Sequence, residues 1–263
     1  MYSQKLTVMP SDTACTNEMK VRNLLNRLQD VAGMAVADRE GSPGELLRRG
    51  YAWVLLKYGL EVVKRMPEMD ESFTVETRHT PGDGFHTLRV FRIFNELGTL
   101  LLAKTSWVLI DLAAGRPVRA TQHLPEVFAD VEDEGDIDPE FAVIPRLKDL
   151  SPVHEAVFPV RFHDIDANGH VNNAVYFEWA YEATPLDLLG WGIREMHAEF
   201  RVSAKLGDTV RVEVRKICAE NGGGLGRTFV YDMTNLGNPK RGEPNERPLV
   251  RLRAVWTPLG NGG

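Results

Sequence analysis

Cysteine is nearly missing: Cys15 and Cys218 are the only two in 263 residues. That is too few for a disulfide framework, and no Cys-x-x-Cys spacing offers a zinc or redox site. Long apolar runs are missing as well. "YAWVLL" and "TLLLA" fall far short of the roughly 20 residues that cross a bilayer, so no membrane span is expected. The amino terminus, MYSQKLTVMPSDTAC, has neither a basic start with an apolar run nor an Arg-rich amphipathic pattern; residence in the cytoplasm is the expectation. Positive charge is not in excess either. With a net charge of -6 the chain has no general field to hold phosphates, which argues against nucleic acid as a partner.

What is present is an ordinary globular composition, 43% hydrophobic and 26% charged. Its length suits two modest domains. Residues 129–151 read as an acidic linker, with seven carboxylates between Ala129 and Glu140 and no apolar period. The expected domains are therefore 1–128 and 152–263.

The halves repeat. At an offset of 152 residues, "SDTACTNEMKVRNLLNRLQDVA" lies against "HDIDANGHVNNAVYFEWAYEAT". Leu24, Leu25, Leu28 and Val31 then face Tyr176, Phe177, Ala180 and Ala183, both rows at helical spacing. In the first half the helix is expected over 17–38, followed by a second one that has Pro43 in its first turn and Ser42 as cap. Strand-rich runs separated by turn residues come next in each half. The expected fold class is α+β: two tandem hotdog domains, each a curved antiparallel sheet wrapped around a long helix.

The stretch Asp164–Asn173, "DIDANGHVNN", concentrates polar groups where the second long helix begins. It partly fits a calcium loop through Asp164, Asp166, Asn168 and Gly169. Position twelve, however, is Val175, which offers calcium no oxygen. Another metal site would need His163, Asp164, Asp166 and His170 to converge. If residues 160–165 were a strand, the two histidines would start on different faces. A local reading makes Asp166 and Asn168 an Asx turn with Gly169 left-handed and Asn172 or Asn173 as helix cap. Against that reading stands the first half, where Ala14, Thr16 and Glu18 replace Asp166, Asn168 and His170. A turn that folds in the twin without the polar set does not need it for folding.

The motif "RFHDIDANGHVNNAVYFEWAYEATP" resembles the acyl-ACP thioesterases, two-hotdog enzymes that release fatty acids from acyl carrier protein. "GYAWVLLKYGLEVVKRMPEMDESFTVET" and "AKTSWVLIDLAAGRPVR" extend the resemblance into the first half. It implies that Asp166, Asn168 and His170 are catalytic, with no metal and no cofactor. Plant members carry a Glu-Cys pair where this chain has Ser203 and Ala204, so an acyl-cysteine route has no residue at that place. The expected chemistry is hydrolysis. Asp166 and Asn168 position a water, His170 orients or deprotonates it, and unpaired N–H groups near Val171–Ala174 hold the developing oxyanion. Direct attack by Asp166 stays open.

Asn172, Asn173, Glu199 and Ser203 are supporting candidates, the last two read as sharing a strand face. Trp53 with Val54, Leu55 and Leu56 would serve the acyl chain or the core equally well. An acidic carrier would need a local basic patch, for which Arg48, Arg49, Lys57, Lys64 and Arg65 are available. An acyl-CoA thioesterase and a non-catalytic acyl binder are the competing readings. Two fused hotdogs complete a pairing internally, and association into a homodimer is also allowed.

Overall fold

The computed structural model describes residues 1–37, 42–81, 84–128, 140–147, 149–217, 226–238 and 246–259. The chain forms two compact units, Met1–Phe141 and Ala142–Gly263. Residues 129–139 and 148 of the acidic segment lie outside the described residues, as does Cys218.

The first unit contains β1 (Tyr2–Thr7), α1 (Val21–Met34), α2 (Pro43–Arg48), β2 (Tyr51–Val62), β3 (Ser72–Pro81), β4 (His86–Asn95), β5 (Gly98–Asp111), β6 (Arg116–Val118) and α3 (Ala120–His123). Its antiparallel sheet runs β1-β3-β4-β5-β2, with β6 added on β5. The second unit contains β7 (His154–Pro159), α4 (Asn173–Glu182), β8 (Trp191–Phe200), β9 (Thr209–Ile217), β10 (Arg227–Asn235) and β11 (Arg247–Pro258). Its antiparallel order is β7-β9-β10-β11-β8. Both units thus follow one plan: a strand, a helix, a strand at the far end of the unit's own sheet, then a meander filling the gap. The repeat read at the helices extends to the topology.

α1 buries one stripe, Val21, Leu24, Leu25, Leu28 and Val31, at the spacing of a single helical face. α4 is buried almost all round: Ala174, Val175, Tyr176, Phe177, Trp179 and Ala180 are all inside. The sheet grips it through aromatic pairs. Phe158 of β7 stacks on Trp179 at 5.8 Å, Phe200 of β8 meets Tyr176 at 5.9 Å, and Trp256 of β11 meets Tyr181 at 4.9 Å. This is the hotdog arrangement, and α4 is its enclosed helix. Among the described residues no helix is long and apolar enough to cross a bilayer.

Two local expectations need correcting. α1 begins at Val21 rather than at 17, because Thr13 and Met19 bridge and Asn17 takes φ 71°, which commits residues 17–20 to a turn. It ends at Met34, short of 38. In the second half the strand stops at Pro159 and Phe162–Asp164 forms a 3-10 turn, so strand alternation does not set the directions of His163 and Asp164. The cap on α2 is as expected: the Ser42 side chain accepts from Glu45 N–H, and Pro43 occupies the first turn.

Candidate active site

Asp164 anchors the polar turn. It is fully buried, and its carboxylate accepts from Arg161 N–H (2.9 Å), Nε (3.0 Å) and Nη2 (2.9 Å). Its carbonyl accepts from Asn172 N–H at 2.8 Å, which closes the turn. Ile165 bridges Val171, Asp166 N–H donates to the His170 carbonyl at 2.8 Å, and Gly169 N–H donates to the Asp166 carbonyl at 3.0 Å. Gly169 sits at φ 77°, where a β-carbon is disfavoured.

Within this frame the Asp166 side chain is held by its neighbours. Oδ1 accepts from Asn168 N–H at 2.8 Å and His170 N–H at 3.3 Å, and Oδ2 lies 3.5 Å from Asn168 Nδ2. The carboxylate is oriented by two backbone amides, while the longer contact leaves Oδ2 able to accept from a water. Asp166 and His170 are half-buried and Asn168 is exposed. The Asx turn of the local reading therefore exists. So does its cap: Asn172 Oδ1 accepts from Ala174 N–H at 2.9 Å, and Asn173 is the first residue of α4.

The expectation of several free amides at Val171–Ala174 is corrected. Val171 N–H donates to Ala204 O (3.0 Å), Asn172 N–H to Asp164 O and Ala174 N–H to Asn172 Oδ1. Asn173 N–H alone of the four has no acceptor among the described residues. Ser203 and Glu199 do not share a strand face, because β8 ends at Phe200. Ser203 is exposed beyond the strand, and Glu199 lies opposite Arg251 of β11.

A polar contact hidden in the sequence joins these parts. The Tyr176 hydroxyl, on buried α4, accepts from Ala204 N–H at 3.0 Å, so the segment after β8 is tied to both the helix and the turn. Burial pushes the Tyr176 phenol up to about 12, and the negative charges of Asp208 and Asp166 add to the shift. The phenol is neutral at physiological pH and keeps its own proton to donate. The only sequence signal was a tyrosine where the repeat has Leu24.

The twin turn in the first unit repeats the backbone bond for bond. Ala14 N–H donates to Glu18 O (2.9 Å), Asn17 N–H to Ala14 O (3.1 Å) and Lys20 N–H to Asp12 O (2.9 Å). Asp12 does the work of Asp164: its carboxylate accepts from Met9 N–H and Asn23 and pairs with Arg27. Burial pushes the Asp12 carboxyl up, but those bonds outweigh it and hold it below the ordinary range. Thr16 and Glu18 occupy the places of Asn168 and His170.

The proposed basic residues are largely committed. Arg48 pairs with Glu45, Arg49 with Glu126 (3.2 Å) and Arg65 with Glu71 (2.7 Å). Lys64 donates to the Leu97 carbonyl, and Lys57 lies 5.8 Å from the Phe141 ring. Leu55 is buried, whereas Trp53 packs half-buried against a cluster that includes Leu46 and Leu109. Among the described residues no three His, Cys, Asp or Glu side chains gather as a metal site.

Comparison with known proteins adds family membership. The profile of the acyl-ACP thioesterase N-terminal domain matches residues 1–128, and that of the acyl-ACP thioesterase C-terminal domain matches residues 147–235. A chloroplastic palmitoyl-acyl carrier protein thioesterase from Gossypium hirsutum is 24% identical over 96% of this chain, which spans 60% of that relative's length. The structure of an acyl-ACP thioesterase from Bacteroides thetaiotaomicron superposes with TM-score 0.75 at 21% identity, covering 97% of this chain and 96% of the other. A 12:0-ACP thioesterase from Umbellularia californica gives TM-score 0.79 at 17% identity, covering 98% and 94%. These two likenesses establish the double-hotdog fold. Two domain profiles matched in order, one on each half, make this chain a member of the acyl-ACP thioesterase family.

Proposed function

We propose that the chain hydrolyses fatty acyl-ACP to free fatty acid and holo-ACP in the cytoplasm, with Asp166, Asn168 and His170 as the catalytic set of the C-terminal unit. One observation carries this reading: the same backbone turn is built twice, and the Asp–Asn–His combination occurs in one copy only, the other having Ala14, Thr16 and Glu18. Surplus polar side chains on a turn that folds without them point to chemistry.

The residues suit a water mechanism. Asp166 Oδ2 and the Asn168 amide orient a water, whose oxygen attacks the thioester carbonyl carbon. The water's proton passes to Asp166 or His170. The carbonyl oxygen gains charge at the start of α4, where Asn173 N–H and the helix dipole stabilise it. Collapse breaks the C–S bond, and the sulfur takes that same proton back from whichever of Asp166 and His170 received it. Asn172, which caps α4, and Asn173 support the site, and the N-terminal unit receives the acyl chain. No cysteine nucleophile is involved.

Incubating purified protein with acyl-ACP and acyl-CoA of several chain lengths, and measuring free thiol, tests the reading. Turnover of acyl-ACP above acyl-CoA is expected. A preference for the CoA thioester would reassign the donor, and silence with every thioester would make the chain an acyl binder.

A further inference from the structure

The inner face of the N-terminal sheet changes character along its strands. Cross-strand register lines up Val75, Ile93, Leu101 and Val62 in one row and Thr77, Phe91, Ala103 and Leu60 in the next. The row after that is His79, Arg89, Thr105 and Tyr58, four polar side chains across four strands. Arg89 is only 6% exposed, and among the described residues it has no carboxylate partner. Among the described residues its side chain makes one bond, from Nη1 to Thr77 Oγ1 at 3.4 Å. Both ring nitrogens of His79 and the Thr87 hydroxyl are shut off from solvent and have no hydrogen-bond partner among the described residues.

A buried cation that no described carboxylate neutralises, beside donors that no described acceptor meets, is an unfinished electrostatic arrangement. Burial lowers the Arg89 pKa to about 10, which leaves the guanidinium charged at neutral pH. Burial and the Arg89 charge both push His79 toward its neutral form, one nitrogen a donor and the other an acceptor. The walls are apolar: Trp53 and Phe128 flank the His79 ring at 5.4 and 4.7 Å, and two largely apolar rows adjoin.

We propose that the Arg89–His79–Thr77 cluster binds the carboxylate of a fatty acid inside the N-terminal unit. One buried positive charge matches one negative charge, a dianionic phosphate would leave an excess, and the apolar rows suit an alkyl tail. Retention of product at this place rests on the hydrolysis proposed above; the binding does not.

The test is calorimetric titration of the full chain with decanoate and with decanol, each below its aggregation limit. The wild-type chain should bind decanoate at least tenfold more tightly, and Arg89→Leu should erase that difference. Arg89→Lys, which keeps the charge, should retain part of it, and His79→Gln should weaken it several-fold. Free of ligand, Arg89→Leu should melt no lower than wild type, since it removes an unpaired buried charge. Equal binding of acid and alcohol by the wild type overturns the proposal. So does an undiminished preference in Arg89→Leu or, if that variant fails to fold, in Arg89→Gln and His79→Gln. The Asp166→Asn variant should bind decanoate like wild type, so loss of hydrolysis and loss of this site are read separately.

Discussion

The turns 12–20 and 164–172 share their backbone hydrogen bonds and differ in almost every exposed side chain. Each has an aspartate buried at its base, and each has one residue at positive φ, Asn17 or Gly169. One further substitution is paired. Met19 N–H donates to Pro67 O where Val171 N–H donates to Ala204 O. Ala204 has an N–H and gives it to the Tyr176 hydroxyl, whereas Pro67 has none and α1 carries Leu24 in the place of Tyr176. Donor and acceptor vanish together, so neither turn buries an unsatisfied group there. The lesson is that Asp12 and Asp164 belong to the scaffold, while Asp166, Asn168 and His170 are additions to it.

The largest expected contrast is in activity. Asp166→Asn keeps the size and removes the base, so hydrolysis of acyl-ACP should fall on the order of a hundredfold or more with little change in stability. The mirror change, Ala14→Asp, should add no hydrolysis. Rate and melting measurements on both variants check this, and an undiminished rate in Asp166→Asn breaks the contrast.

Stability should show the reverse pattern. Asp164→Ala removes the acceptor of Arg161 N–H and the main partner of its exposed guanidinium, which keeps Glu178 at 3.7 Å, and should cost about 2 kcal/mol in denaturant unfolding, with Asp12→Ala costing somewhat less. Tyr176→Phe removes the acceptor of a buried N–H and should cost about 1 kcal/mol or more, whereas Leu24→Ala should behave as an ordinary core truncation.

The smallest effect concerns Glu18, the counterpart of His170. Burial raises its carboxyl above the ordinary value, repulsion from Glu68 adds to this, and Arg65 opposes it. The protonated form is favoured in the fold, so the contribution to stability is present at low pH and is lost as pH rises through the raised value. Glu18→Gln should therefore stabilise the chain near neutral pH by about 0.5 kcal/mol and flatten that part of the pH profile. A variant that loses stability at pH 7 would contradict the sign.

The repeat, the helix stripes and the polar cluster were legible because they lie in local spacing: Leu24, Leu25 and Leu28 show a helical period, and "DIDANGHVNN" is contiguous. Two things were not legible. Turn and helix share a boundary set by hydrogen bonds between distant residues, such as Met19 to Pro67, so spacing alone places the start of α1 four residues too early. Contacts across strands or between helix and loop, such as Tyr176 with Ala204 and the row His79–Arg89–Thr105–Tyr58, depend on register that spacing along the chain does not encode.

The most direct measurement transplants the twin's residues. The variant Asp166→Ala, Asn168→Thr, His170→Glu gives the C-terminal turn the side chains its copy already folds with. It should melt within a few degrees of wild type while its acyl-ACP hydrolysis drops at least a hundredfold. A folded variant that hydrolyses acyl-ACP at the wild-type rate would contradict the claim that these three side chains do the chemistry.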